Sequence, residues 1–124
     1  MTGILLSGCN GKMGEVITAA AANTDDIEIV CGIDLNTEAG AGYPVFASPT
    51  EVTPEVLART DVIIDFSNPS AFAGLIEFAV KAAKPAVFAT TGLNEAQLTL
   101  LHHAADKIPV FFAANMSLGV SLIS

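Results

Sequence analysis

The stretch that decides the fold is Gly3-Ile4-Leu5-Leu6-Ser7-Gly8-Cys9-Asn10-Gly11-Lys12-Met13-Gly14, near the start of a 124-residue chain. Its first half is a short apolar run of strand type. Its second half is a glycine turn of the form GxxGxxG that opens onto a helical pattern. Residues 11–23 read as that helix, with Met13, Val16, Ile17 and Ala20 expected on one face. Ile27 to Ile33 reads as a second strand and ends in Asp34, twenty positions beyond Gly14. A strand, a glycine turn, a helix and a second strand closing on a carboxylate is the sequence form of a dinucleotide-binding turn. Gly8 would let the chain turn tightly, Gly11 would let backbone approach a pyrophosphate, and Gly14 would let the helix lie against the sheet. Phosphate charge would then be met by the helix N-terminus.

Asp34 is placed to accept hydrogen bonds from both hydroxyls of an adenosine ribose, and its carboxylate would repel a 2′-phosphate. Leu35, Asn36 and Thr37 supply no arginine to neutralise such a phosphate. NADH is therefore the preferred cofactor, with NADPH still usable through Lys12 or flexible side chains. Lys12 reads equally well as a phosphate contact or as a solvated lysine at a helix start. The turn is not that of a nucleotide hydrolase, because no Gly-Lys-Ser/Thr follows at the required four-residue spacing.

The alternation of strand and helix continues along the chain. Residues 35–53 are punctuated by Gly40, Gly42, Pro44 and Pro49, with a short extended piece at Val45-Phe46-Ala47. Thr53-Pro54 reads as the cap and first position of a brief helix over 54–59. Asp61 to Phe66 is a strand whose apolar centre suits a sheet covered on both faces. Asn68-Pro69 would cap a helix with Phe72, Leu75, Ile76, Ala79, Val80 and Ala83 at helical spacing. Ala86 to Ala89 is a further strand, and Asn94 with Gln97 forms a capping-box pattern for a helix carrying Leu98, Leu101, Ala105 and Ile108. Pro109 to Ala113 is the last of five strands, and Ser117 onward opens a further helical pattern. These elements predict an α/β fold: a Rossmann-type parallel sheet with helices on both faces and strand order 3-2-1-4-5.

Composition agrees with one layered domain. Apolar residues make up 52% of the chain and charged residues 15%, which argues against disorder. A net charge of −8 disfavours nucleic acid as a partner, and no apolar run reaches the length of a membrane span. With no signal-peptide pattern and two unpaired cysteines, Cys9 and Cys31, the expected compartment is the cytoplasm. Cys9 has no histidine at readable spacing, and His102 and His103 read as solvated helix residues in no metal-ligand pattern. No metal ligand and no catalytic residue is therefore assigned. Three small polar clusters fall at predicted strand ends on the edge of the glycine turn: Phe66-Ser67-Asn68-Pro69, Thr90-Thr91-Gly92 and Ala114-Asn115-Met116-Ser117-Leu118-Gly119. A shared ligand surface accounts for all three.

Taken together, Gly8-Cys9-Asn10-Gly11-Lys12-Met13-Gly14, Ile64-Asp65-Phe66-Ser67, Ala89-Thr90-Thr91-Gly92 and Ala114-Asn115-Met116-Ser117-Leu118-Gly119-Val120 resemble a known family. It is 4-hydroxy-tetrahydrodipicolinate reductase, also called dihydrodipicolinate reductase, of bacterial lysine and diaminopimelate synthesis. The likeness is to the family's N-terminal nucleotide domain and runs across essentially all 124 residues. It implies that Gly8, Asn10, Gly11, Lys12, Met13 and Gly14 surround the pyrophosphate and that Asp34 binds the adenosine ribose. Phe66 and Ser67 would line the crevice. Thr90, Thr91 and Gly92 would lie near the nicotinamide ribose or ring, with Ala114, Asn115 and Met116 positioning the nicotinamide. Lys12 stands where the family usually has arginine, and Ala89 where it often has glycine. Members commonly accept either nicotinamide cofactor.

The resemblance also implies what residues 1–124 lack. Family members continue into a substrate domain that drives tetramer formation and carries Glu, a His-His pair, Lys and a Pro-Ser-Gly-Thr segment. His102-His103 with Lys107 is not that signature: Leu100-Leu101 precedes it, the lysine spacing differs, and the following segment is missing. The implied whole enzyme is a homotetramer that reduces a cyclic unsaturated imine dicarboxylate. The 124-residue piece alone is expected to bind cofactor without turnover and is compatible with a monomer. Two other readings fit the glycine turn: a different two-domain NAD(P)-dependent dehydrogenase of homoserine or sugar type, or a stand-alone NAD-binding or redox-sensing module.

Overall fold

Strand β1 (Thr2–Ser7) is the centre of the molecule, with every residue after Thr2 buried. A strand apolar on both faces can only be stable between two covered surfaces. It hydrogen-bonds in parallel to β2 (Ile27–Ile33) on one side and β4 (Val62–Asp65) on the other. The computed structural model describes residues 2–37, 42–67, 69–89 and 93–112. Within them the remaining elements are α1 (Lys12–Ala22), β3 (Val45–Phe46), α2 (Pro54–Arg59), α3 (Phe72–Ala82), β5 (Ala86–Phe88), α4 (Glu95–Ala105) and β6 (Val110–Phe112), with 3-10 turns at Pro49–Glu51 and Pro69–Ala71.

The six strands form one parallel sheet in the order β3-β2-β1-β4-β5-β6. The order reads 3-2-1-4-5, with β6 on the far edge, once the two-residue β3, which is not among the five expected strands, takes the third place. The strand expected over 61–66, third of those five, is β4 and lies beside β1. Parallel neighbours need crossover connections, and α1, α3 and α4 supply them for β1–β2, β4–β5 and β5–β6.

Leu5, Ile63, Ala86 and Phe88 point to one face of the sheet and pack under Phe72, Leu75, Ile76 and Ala79 of α3 and Leu101 and Ala104 of α4. The Phe72 and Phe88 rings meet tilted, centroids 4.9 Å apart. Each such fully buried side chain stabilises the fold by about 1.5–3 kcal/mol. On the other face Ile4, Leu6, Cys9 and Tyr43 gather beneath α1 with Ile17, Ile27 and Ile29. That second face opens toward the far edge: along the row Leu6, Ile64, Val87, Phe111, exposure rises from 0% at Leu6 to 62% at Phe111.

Two helix faces differ from expectation. In α1 the buried residues are Gly14 and Ala21, with Ile17 and Thr18 half-buried between them, while Met13, Val16 and Ala20 are exposed. The close seat of Gly14 on the turn sets the helix's rotation, and an apolar count cannot register a glycine as the contact point. In α4, Leu101 and Ala104 face inward, with Ile108 buried just past the helix end, while Leu98 and Ala105, expected inward, are exposed. The caps match. Thr53 Oγ1 accepts from Val56 N, and Asn94 and Gln97 complete the capping box with both reciprocal bonds, 2.8 and 2.9 Å.

Candidate dinucleotide-binding site

The glycine turn begins where β1 is held on both sides. Gly8 N donates to Ile33 O at 2.7 Å, continuing the β1–β2 ladder, and Phe66 N donates to Ser7 O at 2.9 Å on the β4 side. Gly8 has φ +81°, a conformation that side-chain-bearing residues seldom adopt, and a Cβ there would lie 2.8 Å from Ser67 N. A Cβ on Gly14 would lie 2.3 Å from Gly8 O and 2.5 Å from Cys9 O, so α1 rests directly on the turn's backbone. Gly11 is different: among the described residues its nearest neighbour would be Gly8 O at 3.4 Å, with nothing else within 4 Å. Packing among the described residues does not require that glycine, whereas a ligand approaching the backbone would.

Gly8 and Gly11 border a cavity of about 550 Å³ at the carboxyl ends of the strands. Asp34 and Leu35 bound it after β2, Ser48 and Pro49 after β3, and Phe66 and Ser67 after β4. Ser70, Ala71, Gly74 and Leu75, at the start of α3, close it on the β4 side. The size is that of a small-molecule pocket, and the position is the crevice where strand order reverses. The α1 N-terminus points there with backbone N–H groups that have no partner inside the helix. Lys12 and Met13, its first two residues, are exposed. A second groove of about 440 Å³, lined by Thr18, Asp25, Ile27 and Tyr43 among others, does not touch the glycine turn.

Asp34 leaves the β2 end with its backbone tied to β3, N to Phe46 O at 3.0 Å. Its carboxylate is tied too. Oδ2 accepts from Asn10 N and Oδ1 from Asn36 N, both at 3.0 Å. An acidic group so held, half-buried at the cavity rim, can accept further bonds from vicinal hydroxyls. Across the cavity Asp65 is fully buried, and its Oδ1 accepts from both N and Oγ of Ser67. That pair of bonds shapes the strand-end turn against which Gly8 packs.

Cys9 and Cys31 are buried free thiols. Burial pushes the Cys9 thiol up, and the nearby Asp34 charge adds to it. Cys31 is pushed up to about 12, by burial first and then by Cys9. Both stay protonated at neutral pH, and neither is an activated nucleophile. Tyr43, whose hydroxyl bonds Thr18 Oγ1 at 2.8 Å, is also raised, chiefly by burial. His102 and His103 are exposed on α4.

The tertiary structure thus brings Gly8, Gly11, Asp34, Phe66 and Ser67 to one cavity, with Asn10 bonded to Asp34. Gly14 acts from behind the turn. Thr90, Thr91, Gly92, Ala114, Asn115 and Met116 lie outside the described residues, as do Asn68 and the helical pattern from Ser117. Ser48, Pro49, Ser70, Ala71 and Gly74 join the site without having been expected. Pro49 was legible only as punctuation after a short extended piece, and Ser70 fell inside the helix expected after Asn68-Pro69, where the structure has a 3-10 turn.

Sheet order, glycine turn and acidic strand end define a Rossmann-type dinucleotide-binding domain. Comparison with known proteins makes the assignment narrower. Residues 2–116 match the family model described as dihydrodipicolinate reductase, N-terminus, and the chain belongs to that family. The 4-hydroxy-tetrahydrodipicolinate reductase of Clostridium tetani is 39% identical over 124 residues, covering all of this chain and 47% of its own length. That of Caldanaerobacter subterraneus subsp. tengcongensis is 41% identical over 123 residues, 99% of this chain and 47% of its own. The chain therefore spans about half the length of the curated relatives it matches. Among solved structures, a dipicolinate-bound dihydrodipicolinate reductase from Paenisporosarcina sp. TG-14 superposes with a TM-score of 0.78 at 23% identity, over 96% of this chain and 49% of that one. A Pyrococcus furiosus protein matches with a TM-score of 0.70 at 19% identity, over 97% of this chain and all of its own. At these identities both attest the fold alone. Among the described residues no helix is long and apolar enough to cross a membrane.

Proposed function

We propose that residues 1–124 are the cofactor-holding domain of an NAD(P)H-dependent reductase that converts a cyclic dihydrodipicolinate-type imine to tetrahydrodipicolinate, in lysine and diaminopimelate synthesis. The observation that carries this reading is the convergence of Gly8, Gly11 and Asp34 on one cavity in a chain of this family. Gly11 leaves the room that a pyrophosphate would fill, and the first N–H groups of α1 would meet its charge, with Lys12 and Met13 at that helix start. Asp34 would accept the adenosine ribose hydroxyls, which favours NADH over NADPH because a fixed carboxylate opposes a 2′-phosphate. Phe66 and Ser67 would form the wall beside the turn. By the family resemblance, Thr90, Thr91, Gly92, Ala114, Asn115 and Met116 would hold the nicotinamide end. When bound, the cofactor supplies the hydride; the protein positions it and shields it from water.

Recognition and protonation of the dicarboxylate fall to residues outside this domain, in the half of the relatives' length that this chain does not span. We place the enzyme in the cytoplasm, which two buried free thiols support. The test is a fluorescence titration of residues 1–124 with NADH and NADPH, paired with a reductase assay of the same piece and of the full-length protein. Binding without turnover by the piece, and turnover by the whole, is the expected result. Failure to bind either dinucleotide would sink the site; reduction by residues 1–124 alone would sink the division of labour. The stand-alone module remains the second reading, supported by the occurrence of this fold as an entire solved chain.

A further inference from the structure

Asn10 lies between Gly8 and Gly11, yet it bonds sideways to the loop after β2. Its backbone N–H donates to Asp34 Oδ2, and its side-chain Nδ2 donates to the Asn36 carbonyl. Asn36 N–H returns a bond to Asp34 Oδ1. The three bonds close a ring that ties the glycine turn to the 34–36 segment. With donors on both of its oxygens, the carboxylate cannot swing away from the cavity rim. Only one bond of the ring depends on a side chain other than that of Asp34, and it is the one made by the Asn10 amide.

We infer that Asn10 is a specificity-determining positioning residue: its side chain holds the 34–36 loop closed, and so fixes Asp34 in the position that separates a free ribose 2′-hydroxyl from a 2′-phosphate. This rests on the reading of Asp34 as the ribose acceptor. With the amide bond gone, the ring is open, and Asn36 N–H keeps its bond to Asp34 Oδ1 without the second tie from the turn. Loop and carboxylate can then move together, losing their aim at the hydroxyls and retreating from a phosphate. The consequence is a change in selectivity rather than a general loss of binding.

The experiment compares Kd for NADH and NADPH in the full-length protein at one fixed ionic strength, by nicotinamide fluorescence. Asn10→Ala should lower the preference for NADH over NADPH by about three- to tenfold, the scale of one lost hydrogen bond. Asn23→Ala serves as a matched control, since it removes a comparable exposed bond, Nδ2 to Ala19 O at 3.1 Å, away from the cavity. It should leave the ratio unchanged, as a merely structural effect would. Asp34→Asn separates the two levels of the reading. If that variant leaves the ratio untouched, the ribose role of Asp34 fails and the inference falls with it. If Asp34→Asn collapses the preference while Asn10→Ala weakens both cofactors equally, or neither, the inference alone is overturned. Should Asn10→Ala lose its native circular dichroism, Asn10→Ser carries the same comparison.

Discussion

Two glycines of one motif should fail in opposite ways. Alanine at position 14 gains helix propensity, worth about 1 kcal/mol over glycine. Its methyl, however, would sit 2.3 Å from Gly8 O and 2.5 Å from Cys9 O, where ordinary contact is 3.4–4 Å. Both are backbone atoms of a turn pinned to β2 and β4, so relief requires the start of α1 to lift by roughly 1 Å from a close-packed seat. Overpacking of this kind costs about 1–3 kcal/mol and more against backbone. Gly14→Ala should therefore lose about 1–2 kcal/mol net and lower Tm by about 4–10 °C. Cofactor affinity should fall with it, because the N–H groups that meet phosphate move with the helix. Gly11→Ala should do the reverse. Its methyl meets only Gly8 O at 3.4 Å, at a φ of −83° that alanine adopts freely, so stability should change by less than about 1 kcal/mol. Binding of NADH should nevertheless drop at least tenfold, since the methyl occupies the open side of the turn. Differential scanning calorimetry and fluorescence titration on the two variants read both quantities. Wild-type Tm and Kd in Gly14→Ala would refute the seating argument, and wild-type NADH affinity in Gly11→Ala would refute the pyrophosphate assignment.

The other predictions follow from single groups. Asp34→Asn should weaken NADH about 10- to 100-fold, the worth of charge-assisted bonds to ribose hydroxyls, while leaving NADPH equal or tighter; parallel titrations would expose an equal loss of both. Cys31 has an ordinary thiol value of 9.0 in the unfolded chain and is pushed up to about 12 when folded. The unfolded state thus binds fewer protons between those values, and the stability that Cys31 contributes is complete below about pH 9 and lost as pH rises toward about 12. Urea melts at pH 8 and 10.5 should show wild type losing about 1–2 kcal/mol more than Cys31→Ala, and parallel losses would contradict the burial of that thiol. Asn94→Ala removes the side-chain half of the α4 capping box, the bond from Gln97 N to Asn94 Oδ1, and should cost about 1 kcal/mol with no change in cofactor affinity, read by the same melts and titrations.

The fold was legible where a local pattern and a tertiary requirement coincide. The β1 run, the caps at Thr53 and Asn94, and the apolar spacing of Phe72, Leu75, Ile76 and Ala79 each satisfy backbone or bury surface within their own element. Their sequence form and their structural role are therefore the same thing. Failures came where a neighbour decides. Met13 and Val16 look like the inner face of α1 until Gly14, with no side chain to count, is found seated on the turn. Ala105 looks as apolar as Ala104, and only the packing of α4 on α3 distinguishes them. β3 contributes two residues, Val45 and Phe46, legible as an extended piece, and only the bonds that β2 lends it make it a sheet member.

The site divides along the same line. Sequence alone determined the ligand class and the family, because glycines in GxxGxxG spacing, a strand before them and an acidic residue twenty positions on are local constraints that survive without coordinates. Tertiary structure decided which atoms do the work. The Asn10–Asp34–Asn36 ring and the closure of the cavity by Ser48 and Gly74 join residues from different strand ends. Such contacts are set by how neighbouring strands register and where their loops land, quantities no stretch of chain encodes by itself. The opening glycines specify the turn, and the folded sheet specifies which side chains stand around it and how firmly Asp34 is held.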